Sequence, residues 1–129
     1  MTATPTPTLP AGVDPAELAA IALTVAVEAG ELITVERPRD LGVAETKSSR
    51  TDVVTVMDQR SQDHLLARLG QLRPDDGFAG EERGGRVGTS GITWVVDPID
   101  GTVNYLYEIP AYAVSVAAVV GDPTVDGGW

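Results

Sequence analysis

The sequence predicts an α+β protein in which helices and a sheet form stacked layers. Three observations support this class. The chain has 129 residues, of which 43% are apolar, enough for one folded domain. Apolar side chains recur at helical spacing in the first half, whereas runs rich in valine, of strand length, lie in the second half. Helices that precede strands, rather than alternating with them, are typical of α+β layers.

The first predicted element is a helix that follows an irregular tail. Residues 1–13 are rich in Thr and Pro, which predicts a disordered tail and leaves residues 14–129 as the folded portion. Asp14 is a suitable N-cap and Pro15 suits the first helical position. Arg37-Pro38 should end the helix. Its apolar face would consist of Leu18, Ile21, Ala22, Val25 and Ala29.

A second helix is predicted from Thr55 to about Leu72. Thr55 has the character of an N-cap, and Asp58 would lie in the first turn. Pro74 follows the helix and stops it. Before it, Lys47–Arg50 is predicted to be a polar turn, and residues 41–46 a weak strand.

The remaining elements are strands and one short helix. Gly77–Gly80 predicts a short strand, and Ile92–Val96 predicts a strand that ends at Asp97-Pro98, because Pro98 has no N–H for a sheet ladder. A helical segment should open at Gly101-Thr102. Ala113–Val120 is almost wholly apolar, which predicts a strand buried on both faces.

Composition excludes several function classes. A net charge of −10 and a pI near 4.3 disfavour a nucleic-acid partner. The absence of cysteine and the presence of a single histidine exclude disulfides, thiolate sites and sites with several histidines. The N-terminus lacks the features of a signal peptide, and the apolar stretch Leu18–Val27 is too short to span a bilayer. These features predict a cytoplasmic protein with no membrane partner.

The segment richest in chemistry is Asp97-Pro98-Ile99-Asp100, hereafter the acidic segment, which is followed by Gly101-Thr102. Two carboxylates brought together across a proline-containing turn need a cation between them. With the Ile99 carbonyl they would form an all-oxygen site suited to Mg²⁺ or Mn²⁺. The same residues also fit an acidic surface turn that caps a helix, and the pattern alone leaves both interpretations open.

Other polar residues are ambiguous when they are taken singly. Glu81-Glu82 could supply a further carboxylate, but a solvated acidic pair is the more common explanation. Lys47 lies in what reads as a surface loop. Asp58 would ordinarily only complement a helix dipole.

Taken together, these residues resemble a known family. The order Lys47, then Asp52-Val53-Val54-Thr55-Val56-Met57-Asp58, then Gly80-Glu81-Glu82, then the acidic segment with Gly101-Thr102-Val103-Asn104 is similar to the inositol monophosphatase family. The resemblance covers residues 14–121. It implies the layered helix and sheet fold of the inositol monophosphatase and fructose-1,6-bisphosphatase type, incomplete at the C-terminus.

The resemblance also implies a Mg²⁺-dependent, lithium-sensitive phosphomonoesterase, with Mn²⁺ as a possible alternative to Mg²⁺. Glu81, Asp97 and the Ile99 carbonyl would hold a first metal, and Asp97 and Asp100 a second. Glu81, Thr102 and Asp58 would be catalytic, with Thr102 oriented by Asp58 to position and deprotonate the attacking water. The implied substrate- and phosphate-binding residues are Lys47, Ile99, Asp100, Gly101 and Thr102.

The first candidate substrate is inositol 1-phosphate; relatives with these motifs act on fructose 1,6-bisphosphate, histidinol phosphate or adenosine bisphosphate. The resemblance further implies a small phosphorylated ligand and a homodimer. Family members are about twice as long, and their distal half carries a Trp-Asp-x-Ala-Ala-Gly type motif whose Asp completes the second metal site. That motif is absent from the present sequence. The alternative is therefore a truncated, non-catalytic chain that binds a divalent cation or a partner.

Overall fold

Two long helices cover one face of a three-stranded sheet. A computed structural model describes residues 8–37, 47–80 and 85–121, apart from the side chains of residues 47–53 and 80. Helix α1 packs on α2 and on β3, and α2 packs on β2. The elements in chain order are α1 (Pro15–Val35), α2 (Lys47–Leu72), β1 (Gly77–Gly80), β2 (Ile92–Asp100), α3 (Thr102–Leu106) and β3 (Ala113–Val120).

Helix α1 begins at the predicted residue and ends close to the predicted stop. The Asp14 carboxylate accepts a hydrogen bond from the amide of Ala16 at 3.0 Å, so Asp14 is the N-cap and Pro15 the first helical residue. The helix ends at Val35, near the predicted stop. One stripe of the helix is buried, formed by Leu18, Val25, Ala29 and Ile33.

The length of α1 corrects one expectation. The helix has 21 residues, and its most apolar 18-residue window has a mean hydropathy of 1.8, enough by length and composition alone to cross a membrane. The prediction that the apolar stretch is too short to span a bilayer is therefore wrong. Within this fold, 22% of that window is buried, and the buried stripe of α1 packs against α2 and the sheet.

Helix α2 begins two turns earlier than predicted. Thr55 lies within the helix rather than at its cap, and Lys47–Arg50 is helical rather than a turn. No Gly or Pro occurs between Lys47 and Leu69 to break the helix. Val54 and Met57 are buried against the rest of the domain, which stabilises the N-terminal half of α2 through tertiary contacts.

The sheet has the order β1-β2-β3. Strand β1 is parallel to β2, with Gly77 opposite Thr93 and Gly80 opposite Val96. Strand β3 is antiparallel to β2. The prediction that β2 ends at Asp97-Pro98 is wrong, because the strand continues to Asp100 through a register irregularity between Asp97 and Asp100 that accommodates the proline.

Strand β3 lies where predicted, but the expectation that both of its faces are buried is wrong. Ala113, Ser115 and Ala117 are exposed, whereas the alternate residues Val114 and Val116 pack against the core. In the described part of the chain, helices cover only the face that carries Val114 and Val116. Because side chains alternate along a strand, the face that carries Ala113, Ser115 and Ala117 is left open.

A buried carboxylate joins the end of α2 to the sheet. Asp76, which is 1% exposed, accepts hydrogen bonds from Arg73, from the hydroxyl of Ser90 and from the indole N–H of Trp94. The distance from Trp94 Nε1 to Asp76 Oδ2 is 2.8 Å. The cluster fixes β1 beside β2.

The predicted disorder of residues 1–13 remains a prediction. Residues 1–7, the weak strand proposed for 41–46, and Glu81 and Glu82 lie outside the described residues.

Candidate active site at the end of β2

The candidate site begins where β2 leaves the core. Ile92, Trp94 and Val96 are buried towards the helices. Since successive side chains of a strand point to opposite faces, Asp97 is directed to the face that the helices do not cover. Asp97 is only partly buried, and Asp100 at the end of the strand is exposed.

Two contacts with α2 fix the middle of the acidic segment. The hydroxyl of Ser61, in α2, donates to the Pro98 carbonyl at 2.9 Å, and both residues are fully buried. The Ile99 side chain is 2% exposed and belongs to an apolar cluster with Met57 and Tyr105. The acidic segment is therefore held by the core, although its two aspartates lie near the surface.

Gly101 makes the turn into α3. Its φ of +87° is in the left-handed region, and a Cβ at this position would lie 2.9 Å from the Ala111 carbonyl oxygen. Glycine is required here for both reasons. The amide of Tyr105 donates to the Gly101 carbonyl at 3.0 Å. The preceding amides of the first turn have no carbonyl one turn back within the helix, so they can bond an oxyanion.

The short helix α3 is anchored through Tyr105. The Tyr105 hydroxyl donates to the Ile33 carbonyl at 2.9 Å, and burial raises the pKa of this phenol, so that it remains a neutral donor. The Arg37 guanidinium lies 4.5 Å from the centre of the Tyr105 ring and donates to the Tyr105 carbonyl. These contacts join the end of α1 to α3.

A concavity of about 300 Å³ brings the predicted residues together. Its lining consists of Asp97, Ile99, Asp100, Gly101, Thr102, Val103 and Asn104. Residues that carry two carboxylates and a hydroxyl, and residues of the first turn of α3, therefore border one small volume. This donor set is composed of oxygen ligands with amides beside them, which suits a hard divalent cation next to a phosphate.

A larger concavity of about 570 Å³ lies away from these residues. It is bordered by β1, the 85–91 loop and Gly121, and its lining contains no carboxylate among the described residues. Its one charged group, the Arg86 guanidinium, stacks on Phe78 at 4.4 Å and donates to the carbonyls of Pro74 and Asp76. We therefore place the candidate chemistry in the smaller concavity.

The side chains of two predicted site residues, Glu81 and Lys47, are not located by the structure. Glu81 and Glu82 lie outside the described residues, and the side chain of Lys47 is likewise not described, although its backbone is in α2. Among the described residues, no three His, Cys, Asp or Glu side chains form a metal-binding group.

Asp58 lies on α2 three residues before Ser61. Residues at this spacing share a helix face, so Asp58 is on the side of α2 that contacts the acidic segment. Asp58 is partly buried, and Thr102 begins α3. The orienting role predicted for Asp58 on Thr102 remains a prediction.

Sequence reasoning missed Ser61 and Arg37. Ser61 follows Met57 by four residues and precedes Leu65 by four, so it is a polar residue in the buried stripe of α2. That pattern is a usable indication of a buried hydrogen bond. Arg37 gave no comparable indication, because its contact with Tyr105 joins residues 68 positions apart.

Comparisons with known proteins agree with this geometry. Residues 14–127 match the inositol monophosphatase family. The inositol-1-monophosphatase SuhB of Mycobacterium tuberculosis is 44% identical over 128 residues, which cover 88% of this chain and 44% of that protein. Inositol monophosphatase 1 of Bos taurus is 35% identical over 103 residues, covering 77% of this chain and 37% of that protein.

The fold also matches. A solved structure of Mycobacterium tuberculosis SuhB aligns with a TM-score of 0.66 at 42% identity, covering 84% of this chain and 37% of that chain. The predicted α+β layering is thereby confirmed. The chain spans less than half the length of the curated relatives named above.

Proposed function

Because the chain belongs to the inositol monophosphatase family, we propose that it hydrolyses a small phosphate monoester, with inositol 1-phosphate as the first candidate substrate. One observation carries the proposal. Asp97, Ile99, Asp100, Gly101 and Thr102 border a single concavity at the end of β2. This arrangement supports the proposal, because the proposed cation ligands and the proposed phosphate-binding residues line the same concavity, as metal-assisted hydrolysis requires.

The proposed metal is Mg²⁺, with Mn²⁺ as an alternative. The Asp97 carboxylate and the Ile99 carbonyl would hold a first cation, and the Asp97 and Asp100 carboxylates a second; these all-oxygen ligands fit a hard cation. Glu81 is the proposed further ligand. It follows Gly80, which is paired with Val96, the residue just before Asp97. The parallel register of β1 and β2 therefore supports a meeting of Glu81 with Asp97.

A bound divalent cation would supply the positive charge that lets acidic residues and a dianionic ester share one pocket, and it would lower the pKa of water. The Thr102 hydroxyl, oriented by Asp58, would accept a proton from the attacking water while donating its own proton to the Asp58 carboxylate, which would hold that proton. The amides of Gly101 and Thr102 would bind phosphate oxygens. Lys47 would contribute a positive charge near the phosphate.

The ligand class, the compartment and the oligomeric state are proposed from the same family assignment. The proposed ligand is a small phosphorylated molecule, and a net charge of −10 disfavours a nucleic acid. The proposed compartment is the cytoplasm. The proposed assembly is a homodimer.

Phosphate release tests the function. The chain should liberate phosphate from inositol 1-phosphate with Mg²⁺ present, and Li⁺ should inhibit the reaction. Fructose 1,6-bisphosphate, histidinol phosphate and adenosine bisphosphate form the comparison panel. Asp97→Asn and Asp100→Asn should each lower the rate by about 100-fold or more, beyond what outer-shell changes usually cost. The matched control is Asp63→Asn, an exposed position on α2, which should stay within about 2-fold.

The outcomes separate the two candidate functions. Turnover that survives Asp100→Asn would contradict the proposed mechanism. Absence of turnover, with Mn²⁺ binding that Asp97→Asn abolishes, would instead support the alternative of a non-catalytic chain that binds a divalent cation.

A further inference from the structure

We propose that Ser61 is a positioning residue for the metal ligands of the acidic segment. The inference rests on the proposed function, because it assigns Ser61 a role in the same site. Ser61 acts through the backbone of Pro98 and touches neither substrate nor metal. It extends the site to a residue of α2 outside the family motif identified in the sequence.

The first support is the place of the hydrogen bond in the sheet. Pairing of β2 with β1 ends at Val96. Pairing with β3 is regular as far as Asp97 and resumes at Asp100, so the register skips Pro98 and Ile99. At this irregularity the Ser61 hydroxyl donates to the Pro98 carbonyl at 2.9 Å. A side chain thus supplies a bond where the regular ladder is interrupted.

The second support is burial. Ser61 is 0% exposed and Pro98 is also fully buried. A buried carbonyl without a partner is unfavourable, and water has no access here to replace the hydroxyl. The hydrogen bond therefore restricts the conformation of the acidic segment.

The third support is the geometry of the neighbours of Pro98. Pro98 directly follows Asp97 and directly precedes Ile99, and both of those residues border the concavity. The Pro98 carbonyl oxygen is held towards α2 by Ser61. Because a peptide unit is planar, this contact fixes the orientation of the peptide group that joins Pro98 to Ile99. Loss of the anchor should loosen both ligands at once.

A purely structural role for Ser61 makes a different prediction. In that case Ser61→Ala would lower thermal stability but leave metal affinity unchanged while the protein is folded. Ser90→Ala is the matched control. It removes the hydroxyl that donates to Asp76 Oδ1 at 2.6 Å, in a cluster that does not border the concavity.

The experiment measures the dissociation constant of Mn²⁺, with no substrate present, at a temperature where circular dichroism shows each variant folded. Ser61→Ala should weaken Mn²⁺ binding about 10-fold, the lower end of outer-shell effects. Ser61→Thr, which keeps the hydroxyl, should stay within about 3-fold of the wild type. Ser90→Ala should lower the melting temperature without changing the Mn²⁺ affinity. Should the alanine variant fail to fold, Ser61→Cys, of similar size but with a weaker donor, decides the question by the same weakening.

Two results would overturn the proposal in distinguishable ways. If the wild type binds Mn²⁺ tightly and Asp97→Asn abolishes binding, but Ser61→Ala or Ser61→Cys leaves it unchanged, the positioning role alone is wrong. If the wild type binds Mn²⁺ no better than Asp97→Asn, the proposed function fails, and the positioning role fails with it.

Discussion

Replacing Asp76 by asparagine would probe the buried cluster that fixes β1 beside β2. Every partner of the Asp76 carboxylate donates: Arg73 twice, at 2.8 and 3.1 Å, the Ser90 hydroxyl at 2.6 Å and the Trp94 indole at 2.8 Å. Asparagine keeps the shape but has only one acceptor oxygen. Its NH2 group, which is itself a donor, must face donor groups of the partners, and the ion pair with Arg73 is lost.

The loss of unfolding free energy depends on which partners of Asp76 can be hydrated in the variant. The Arg73 side chain is 22% exposed and can be partly rehydrated. The Trp94 side chain is 0% exposed, so its indole N–H keeps a partner only if the asparagine oxygen faces it. One charge-assisted pairing is then lost, at about 2–3 kcal/mol of unfolding free energy. Asp76→Ala leaves the indole N–H without this acceptor and should cost more, about 3–5 kcal/mol.

Urea unfolding followed by tryptophan fluorescence is the appropriate assay. The chain has two tryptophans, so a Trp129→Phe background makes Trp94 the reporter within the cluster itself. Asp75→Asn, at the exposed neighbouring position, is the control and should stay within about 0.5 kcal/mol. A loss below about 1 kcal/mol for Asp76→Asn would refute the reasoning, because buried charge-assisted bonds should exceed that value.

Gly101→Ala should destabilise the fold more than Gly12→Ala. The two glycines have φ of +87° and +79°, but only at Gly101 does a Cβ meet the Ala111 oxygen at 2.9 Å; urea unfolding should show about 1 kcal/mol for Gly12→Ala and at least about 2 for Gly101→Ala. Hydrogen bonds from Arg68 and then His64 hold the pKa of Glu28 below its ordinary 4.5. At pH 7 the free energy of unfolding of the wild type should exceed that of Glu28→Gln by about 0.5 kcal/mol. This difference should disappear as pH falls below 4.5 through the folded-state pKa of Glu28. Equal losses of unfolding free energy in the two proteins would contradict this.

Elements set by neighbouring residues were predictable from the sequence. The start of α1 depends on Asp14 and Pro15, and the turn into α3 depends on Gly101, so the local chemistry identified both. The acidic segment was identifiable because its aspartates follow a buried strand directly.

Features set by distant contacts were not predictable in this way. Helix α2 begins before Thr55, at Lys47, and Val54 belongs to an apolar cluster that includes residues of α1 and β2. Strand β2 continues through Pro98, whose carbonyl is bonded by a serine 37 positions away. The exposed face of β3 depends on which elements cover it, which an apolar run cannot reveal.

The same limit applies to the site. Five neighbouring motif positions, Asp97, Ile99, Asp100, Gly101 and Thr102, border one concavity as their closeness in sequence leads one to expect. Asp58 is placed only to the level of a helix face. Glu81 is connected to the site through the pairing of Gly80 with Val96.

The most direct test of a divalent cation held by the acidic segment is an anomalous-diffraction map of crystals grown with Mn²⁺. The account predicts a manganese peak within about 2.5 Å of a carboxylate oxygen of Asp97, a carboxylate oxygen of Asp100 or the Ile99 carbonyl oxygen, with at least two of the three as ligands. The peak should vanish from crystals of Asp97→Asn. A strong peak at another location, with none beside Asp97 and Asp100, would contradict the account.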